Sequence, residues 1–373
     1  MKLDVLQATH FRNIEKLSIE PSPNLNLVYG ENGSGKSSLL EAIHFLGFGR
    51  SFRGTKTRNV IQHGNTSFTL HSKCSFHKGE NEYSLGLQRG QDDSVICSIN
   101  GERSNRMSDL VSLVPVQIFT PQSIELVLGA PSGRRSFLDW GLFHVEQSFK
   151  ELHKSYQRVL KHRNALLKQK QKSYGTKTSD SSERYEELDY WSGQLGQIGT
   201  KIDSLRVRYW NTFLPEFERL IGQFLPEFSL ELSYHRGWDS SLELSQQLKS
   251  KEQIDIRFGF TSVGPHKADF KVKSDGKPAS EILSRGQLRM LVAALQLAQA
   301  KHLYANVQEG GIFLLDDIGA ELDEKRRALF VEELVSTNTQ VFITAIEKAH
   351  FSVPTTINNK KVFHVEHGHV IEE

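Results

Sequence analysis

Short runs of alternating hydrophobic and polar residues fill the stretch from Met1 to Gly30, and Asn24–Tyr29 predicts a half-buried strand that stops at a glycine. From Ser37 to Phe48 the period becomes helical. Ser67–Phe76, Glu82–Gln88 and Ser94–Asn100 predict antiparallel strands, the last entering Asn100-Gly101, a pair suited to a type I′ hairpin. From about Pro131 to Phe258 long helical patterns dominate, interrupted by the polar, Ser-rich stretch Ser173–Ser182, which has loop chemistry. Here Phe149, Leu152, Tyr156, Val159 and Leu166 recur at spacings of three and four or their sums, as do Leu188, Leu195, Ile198, Ile202 and Leu205. Two antiparallel helices sharing a heptad-like seam would produce both series. From Phe260 onward α/β character returns, with Ile312–Leu315 and Val341–Ala345 reading as buried strands between helical stretches. The pattern therefore predicts an α/β fold with an antiparallel flank. It is divided into residues 1–130 and 259–373 by an inserted helical lobe, 131–258.

Composition narrows this picture without naming a partner. The 373 residues suit two or three domains at ~150 residues each. With 46 basic against 44 acidic side chains, the formal net charge is only +2. Cys74 and Cys97 are too few for a zinc site of their own or a disulfide framework, and fit a reducing cytoplasm. The N-terminal MKLDVLQATHF has no apolar core of a signal peptide, and stretches such as Met290–Leu295 fall far short of the ~18 residues of a membrane span. A cytoplasmic location away from membranes is expected.

Three segments carry chemistry. Gly30-Glu31-Asn32-Gly33-Ser34-Gly35-Lys36-Ser37, followed by Ser38, joins a predicted strand to a predicted helix, which is the context of a phosphate-binding P-loop. Its glycines let backbone N–H groups approach a triphosphate, Lys36 would reach the β- and γ-phosphates, and the Ser37 hydroxyl would bind Mg²⁺. The buried run Gly311–Leu315 ends in Asp316 and Asp317, the placement of a Walker B strand. Asp316 would complete the Mg²⁺ shell and Asp317 would orient or deprotonate the attacking water. Leu283-Ser284-Arg285-Gly286-Gln287 opens a long apolar helix; Ser284 is its natural cap, and Gly286 and Gln287 beside the exposed N–H groups make a second anion site.

The order of these segments, with Glu321-Leu322-Asp323 soon after the two aspartates, resembles an ABC-type ATPase head. More narrowly, the chain resembles the RecF family of bacterial recombination and replication-repair ATPases, relatives of the Rad50 and SMC heads. The resemblance runs through Phe11-Arg12-Asn13, the P-loop, Phe119-Thr120-Pro121, Arg134-Arg135, Phe137-Leu138-Asp139, Gly264-Pro265-His266, Ser284-x-Gly286-Gln287 and the acidic segments. It implies an ABC-type P-loop head of mixed sheet and antiparallel flank, split by the helical lobe. It also implies ATP and Mg²⁺ as cofactors and an ATP-bridged homodimer in which Ser284 touches the γ-phosphate held by the other copy. Asp323 would line the opposing site, Arg12 and Asn13 would contact phosphates in cis, and Gln122 falls where a Q-loop glutamine is expected. Single-stranded or gapped DNA, RecO, RecR, assistance to RecA loading and a part in SOS induction are further implications. Asp317 stands where transporter heads carry glutamate, and Thr344 where they carry a switch histidine. The shorter acid and the hydroxyl predict slow turnover, and the resemblance implies that DNA stimulates it. A scaffold switched by nucleotide, with incidental hydrolysis, is the alternative. His266 precedes Lys267-Ala268-Asp269 where the family more often has Arg-Asp-Asp.

Between Lys150 and Lys177 nine basic residues face one acid, a local +8 that leaves −6 for the rest of the chain. Such a helix can neutralise DNA phosphates without reading bases. His364, His367 and His369 lack the neighbours of a coordination shell and suit an exposed hairpin end.

Overall fold

The computed structural model describes the chain except residues 55, 77–81, 105, 173–180, 318–321, 349–356 and 358, and the side chains of 181–185. Most of the Ser-rich stretch, together with Lys177 and Glu321, therefore lies outside the described residues; Ser181 already belongs to a helix.

In chain order, strands β1 (Lys2–Phe11), β2 (Ile14–Ile19) and β3 (Leu25–Tyr29) precede helix α1 (Lys36–Phe48). Strands β4 (Ser67–Ser75), β5 (Glu82–Gly90), β6 (Val95–Ile99) and β7 (Glu102–Ser104) follow, then α2 (Met107–Leu113) and β8 (Val116–Phe119). The middle of the chain holds α3 (Glu125–Leu128), α4 (Pro131–Val145), α5 (Phe149–Lys172) and α6 (Ser181–Phe224). After these come β9 (Leu230–His235), α7 (Leu244–Ser250), α8 (Glu252–Phe258), β10 (Asp269–Ser274), β11 (Lys277–Pro278) and α9 (Ala279–Ile282). The remainder is α10 (Arg285–Val307), β12 (Ile312–Leu315), α11 (Glu324–Val335), β13 (Gln340–Ala345), β14 (Lys360–Glu366) and β15 (His369–Glu372).

Two compact units result. The first comprises 1–124, 216–226 and 284–373; the second comprises 125–215 and 227–283. Residues 259–283, expected with the ATPase part, group with the helical unit because β10 pairs along its whole length with β9 in an antiparallel sheet.

In the first unit, one sheet runs β15-β14-β3-β13-β12-β8, and a second, antiparallel sheet runs β2-β1-β4-β5-β6-β7. Strand β3 is parallel to both β13 and β14, so it is interior to its sheet, and Leu25–Val28 are all buried rather than alternately exposed. Asn26 is tolerated there because its amide accepts from Ser22 N at 2.7 Å and donates to Ser22 O at 2.9 Å. In the antiparallel flank, β4 does alternate between buried and more exposed positions. Asn100 and Gly101 take φ of 51° and 84°, as a type I′ turn requires. Helix α1 buries Leu39, Leu40, Ile43 and Leu46 completely, each contributing about 1.5–3 kcal/mol. Phe45 of α1 meets Phe11 and Phe68 of the flanking sheet edge-to-face, with centroids 6.2 and 5.1 Å away, fastening the helix that carries the P-loop.

In the second unit, Phe149, Tyr156 and Val159 of α5 and Leu188, Leu195, Ile202 and Leu205 of α6 are buried, while Leu152, Leu166 and Ile198 are half-buried. Leu160 and Leu167 take buried places on α5, and so does Arg163, fully enclosed two heptads after Phe149. Its guanidinium donates to Asp255 Oδ2 and Thr261 Oγ1 at 2.8 Å each and to Ser192 Oγ at 2.9 Å. Arg163 therefore belongs to the core and leaves the basic surface expected of this segment. Lys154, Arg158, Lys161, Lys168 and Lys172 are exposed and follow one another at helical spacing along the opposite face.

Several of the motifs quoted above act as braces inside this unit. Arg134 holds Asp269 through Nε and Nη2 at 2.7 and 3.1 Å, and Arg135 donates to Ala268 O. Arg206 joins Asp139 to Pro265 O. His266 donates from Nε2 to Thr261 O at 3.0 Å and accepts at Nδ1 from the Tyr156 hydroxyl at 2.7 Å; burial lowers its pKa to about 4.

Candidate nucleotide-binding site

Because β3, β12 and β13 are parallel and in register, their carboxyl ends reach one edge of the sheet together. Leu315 stands beside Ile343, and Ala345 beside Tyr29. The residues that follow, Gly30 and Asp316, and Thr344 within β13 are thereby gathered at the edge where α/β sheets bind ligands. A cleft of about 750 Å³ opens there. Arg12, Asn13, Asn32, Gly33, Gly35, Lys36, Ser37, Ser38, Gln122, Asp316 and Asp317 line it, with Thr344.

The P-loop shape depends on glycine at two points. Gly30 has φ 152°, and a Cβ there would lie 2.2 Å from Val365 O; Gly35 has φ 124° at the start of α1. The loop is also held from outside, since Gly368 N donates to Ser34 O at 2.7 Å and Asn13 Nδ2 donates to the same carbonyl at 3.1 Å. Asn13 Oδ1 in turn accepts from Ser38 Oγ at 2.7 Å. Asn13 thus shapes the loop from the side while lining the cleft.

Lys36 Nζ donates to the loop's own carbonyls, Gly30 O at 2.6 Å and Glu31 O at 2.8 Å. Burial lowers its pKa, and the nearby Asp317 and Asp316 oppose that shift. Ser37 Oγ donates to Asp316 Oδ1 at 3.2 Å, and Thr344 Oγ1 donates to the same oxygen at 2.9 Å. Asp317 N donates to Thr344 Oγ1 at 2.9 Å, and Asp317 takes φ 54°, an uncommon conformation for a non-glycine residue. Thr344 therefore fixes both aspartates at once. Ser37 Oγ and Asp316 Oδ1 form a pair of hard oxygen donors of the kind Mg²⁺ prefers. Ser34 Oγ is buried with no hydrogen-bond partner among the described residues, an available polar group in the loop.

Arg12 lines the cleft but is already engaged. Its Nε and Nη2 hold Glu41 at 2.9 and 2.6 Å, Nη1 donates to Asn59 O, and Glu41 is fully buried. Sequence reasoning missed Glu41, although an acid inside the apolar run Leu39–Ile43 on the helix after a P-loop was a visible signal. It also missed Phe52, Arg53, Asn59, Ile61 and His63, which reach the cleft from a segment with no motif of its own.

Ser284, Gly286, Gln287 and Asp323 are not among the cleft-lining residues. Ser284 caps α10 in a reciprocal box, accepting from Gln287 N at 3.3 Å while Gln287 Oε1 accepts from Ser284 N at 2.8 Å. Ser284 is itself exposed, so the end of α10 presents its hydroxyl outward. Asp323 caps α11, accepting from Arg326 N at 3.0 Å and pairing with Arg326 Nη1 at 2.7 Å. The C-terminal histidines lie on or between β14 and β15, where His364 stacks on Tyr29; among the described residues no group of three or more His, Cys, Asp or Glu could hold a metal. No helix among them is long and apolar enough to cross a membrane.

The profile of the RecF/RecN/SMC N terminal domain matches residues 2–370. The DNA replication and repair protein RecF of Pseudoalteromonas atlantica is 49% identical over 373 residues, covering 100% of both chains. The chain belongs to the RecF family. A solved structure described as the recombination mediator protein RecF-ATP in the RecFOR pathway aligns with a TM-score of 0.86 at 25% identity, covering 100% of this chain and 97% of that one. The Smc head bound to the C-winged helix domain of ScpA, at 16% identity and a TM-score of 0.60, shares the fold, that of an ABC-type ATPase head. Of the motifs on which the resemblance was drawn, Arg134-Arg135, Asp139 and Pro265-His266 brace the helical unit rather than line the cleft.

Proposed function

We propose that this protein is a DNA-binding ATPase of recombinational repair and replication restart, which dimerises on single-strand-containing or gapped DNA when ATP is bound. The observation that carries this reading is the convergence of Lys36, Ser37, Asp316, Asp317, Thr344 and Gln122 on one cleft at the P-loop edge of the sheet. The relatives named for DNA replication and repair, and the ATP complex of a RecF, support it.

Gly33, Gly35 and the first N–H groups of α1 would donate to the phosphates, with the helix dipole adding to the attraction. Lys36 would exchange the carbonyls of Gly30 and Glu31 for phosphate oxygens, charge-assisted acceptors that hold an ammonium more strongly. Ser37 Oγ and Asp316 Oδ1 would hold Mg²⁺, which when bound compensates phosphate charge. Asp317 would orient a water for attack on the γ-phosphorus and take its proton as the bond to the β–γ bridging oxygen breaks. Thr344, hydrogen-bonded to both aspartates' segments, would keep them in place, and Gln122 would face the reacting end. Ser284, Gly286 and Gln287, exposed or half-exposed at the start of α10, would close the cleft of a second copy, with Asp323 beside them. The exposed face of Lys154, Arg158, Lys161, Lys168 and Lys172 would contact DNA phosphates. On this reading RecO and RecR would be its partners, and it would help in loading RecA and support SOS induction; the RecFOR pathway named for the solved RecF relative supports this. A hydroxyl at Thr344 and the short acid Asp317 favour slow turnover, so ATP acts chiefly as a switch.

Sedimentation velocity with a non-hydrolysable ATP analogue and gapped DNA tests the reading. The wild type is expected to pair and Lys36→Ala to stay monomeric; a wild type that remains monomeric with both ligands refutes it. Asp317→Asn is expected to pair normally with ATP and to lower turnover about 100-fold or more. Wild-type turnover in this variant would remove Asp317 from its assigned role.

A further inference from the structure

Large aromatic side chains belong in cores, yet Phe258 and Phe260 are 56% and 42% exposed. Their rings stack on each other with centroids 5.8 Å apart and planes 23° from parallel. They do not hang from a loose loop. Gly259 N donates to Asp255 O, Thr261 N to Asn164 Oδ1 at 2.8 Å, and Ser262 N to Asp255 Oδ1 at 3.0 Å. Asp255 is itself locked by the buried Arg163. The fold therefore holds two aromatic faces in water at fixed positions, a cost that burial elsewhere would have avoided.

The surroundings are cationic. Lys267 Nζ lies 5.0 Å from the Phe260 ring centroid, and Arg257 is exposed in the last turn of α8. Gln171 Nε2 of α5 donates to Arg257 O, and the Lys168 side chain passes beside Gly259. The aromatic pair thus adjoins the exposed Lys168 and Lys172 at the end of the basic face of α5. Cations alone attract any polyanion, duplex or single-stranded. Fixed aromatic faces among cations add affinity only for a polyanion whose own flat rings are free, because bases in a duplex already stack on one another.

We propose that Phe258 and Phe260 form a stacking platform for unpaired bases of single-stranded DNA, with Lys267, Arg257 and Lys168 holding the adjoining phosphates. This rests on the DNA-binding reading above and adds to it the form of DNA that the helical unit takes.

Fluorescence anisotropy with the full chain tests it, using an oligo-dT strand of about 25 nucleotides, an abasic strand of the same length and a duplex. The wild type is expected to bind oligo-dT about tenfold or more tightly than the abasic strand. Phe258→Leu with Phe260→Leu, which keeps apolar area but removes the π-faces, is expected to lose that margin while binding duplex as the wild type does. A wild type that treats dT and abasic strands alike overturns the platform and leaves the DNA reading standing; one that binds no DNA of any kind overturns both. A Leu variant that retains the margin also overturns it, and if that variant loses a protein partner instead, the patch is a protein-docking surface. Independently of any variant, 5-iodouracil in the strand should crosslink to Phe258 or Phe260, and crosslinks found only elsewhere count against the proposal.

Discussion

Lys36 and Arg163 are both cations drawn into their units, but they are used in opposite ways. Arg163 is completely enclosed and has a carboxylate, two hydroxyls and no solvent around its guanidinium. Lys36 sits at a cleft wall, holding two backbone carbonyls that it can exchange for better acceptors, with Asp317 and Asp316 nearby. A charge whose partners are all supplied by the fold is structural. A charge whose partners are weaker than those a ligand would bring is available for chemistry.

The sharpest way to break this comparison is to remove each cation. Arg163→Ala leaves Asp255 as an unpaired buried carboxylate and should destabilise the helical unit by about 3–5 kcal/mol, read as a lowered urea midpoint and faster amide exchange in α5. Lys36→Ala should leave that midpoint unchanged; equal effects from the two variants would erase the distinction.

Acid sharpens it next, because each unit hides a neutral histidine. His44 in α1 and His266 in the second unit both have pKa values lowered to about 4, chiefly by burial. In the unfolded chain they titrate near 6.5, so below that pH the unfolded state binds protons that the folded state refuses. Their contribution is present above pH 6.5 and is lost as pH falls toward 4. Going from pH 6.5 to 5 should cost about 1–2 kcal/mol per histidine. Replacing His266 by Asn should reduce the pH dependence of the α5 exchange rates, with the buried His144 of the same unit sustaining the remainder, and leave that of α1 unchanged.

The smallest expected effect is at α10. Ser284→Ala removes a helix cap and should cost about 1 kcal/mol by urea denaturation. If it also prevents ATP-dependent pairing, the hydroxyl serves a second copy as well as its own helix; if pairing is unaffected, Ser284 is a cap alone.

The P-loop and the Asp316-Asp317 strand were legible because their chemistry is written in consecutive residues, and a parallel sheet brings strand ends together whatever lies between. The engagement of Arg12 with Glu41 was not legible, since it joins residues 29 apart, one in the turn between β1 and β2 and the other on α1. Arg163 is more instructive. Sequence reasoning counted it with the basic surface of α5 and left it out of the seam, although its spacing of seven from the seam residue Tyr156 is that of a buried position. Periodicity recorded its environment correctly where the charge count did not. Phe258 and Phe260 illustrate the converse: nothing in the sequence around them separates them from core aromatics, and only their exposure in the fold sets them apart.

The carbonyl of Val365 fills the space beside Gly30, and the amide of Gly368 is tied to Ser34. A loop read near residue 30 is consequently moulded by backbone more than 330 positions later. During synthesis, the phosphate cradle cannot acquire its final contour until residue 368 has left the ribosome and threaded back beside β3. Nascent chains that stop short of the β14–β15 hairpin are therefore expected to hold nucleotide less tightly than the finished chain.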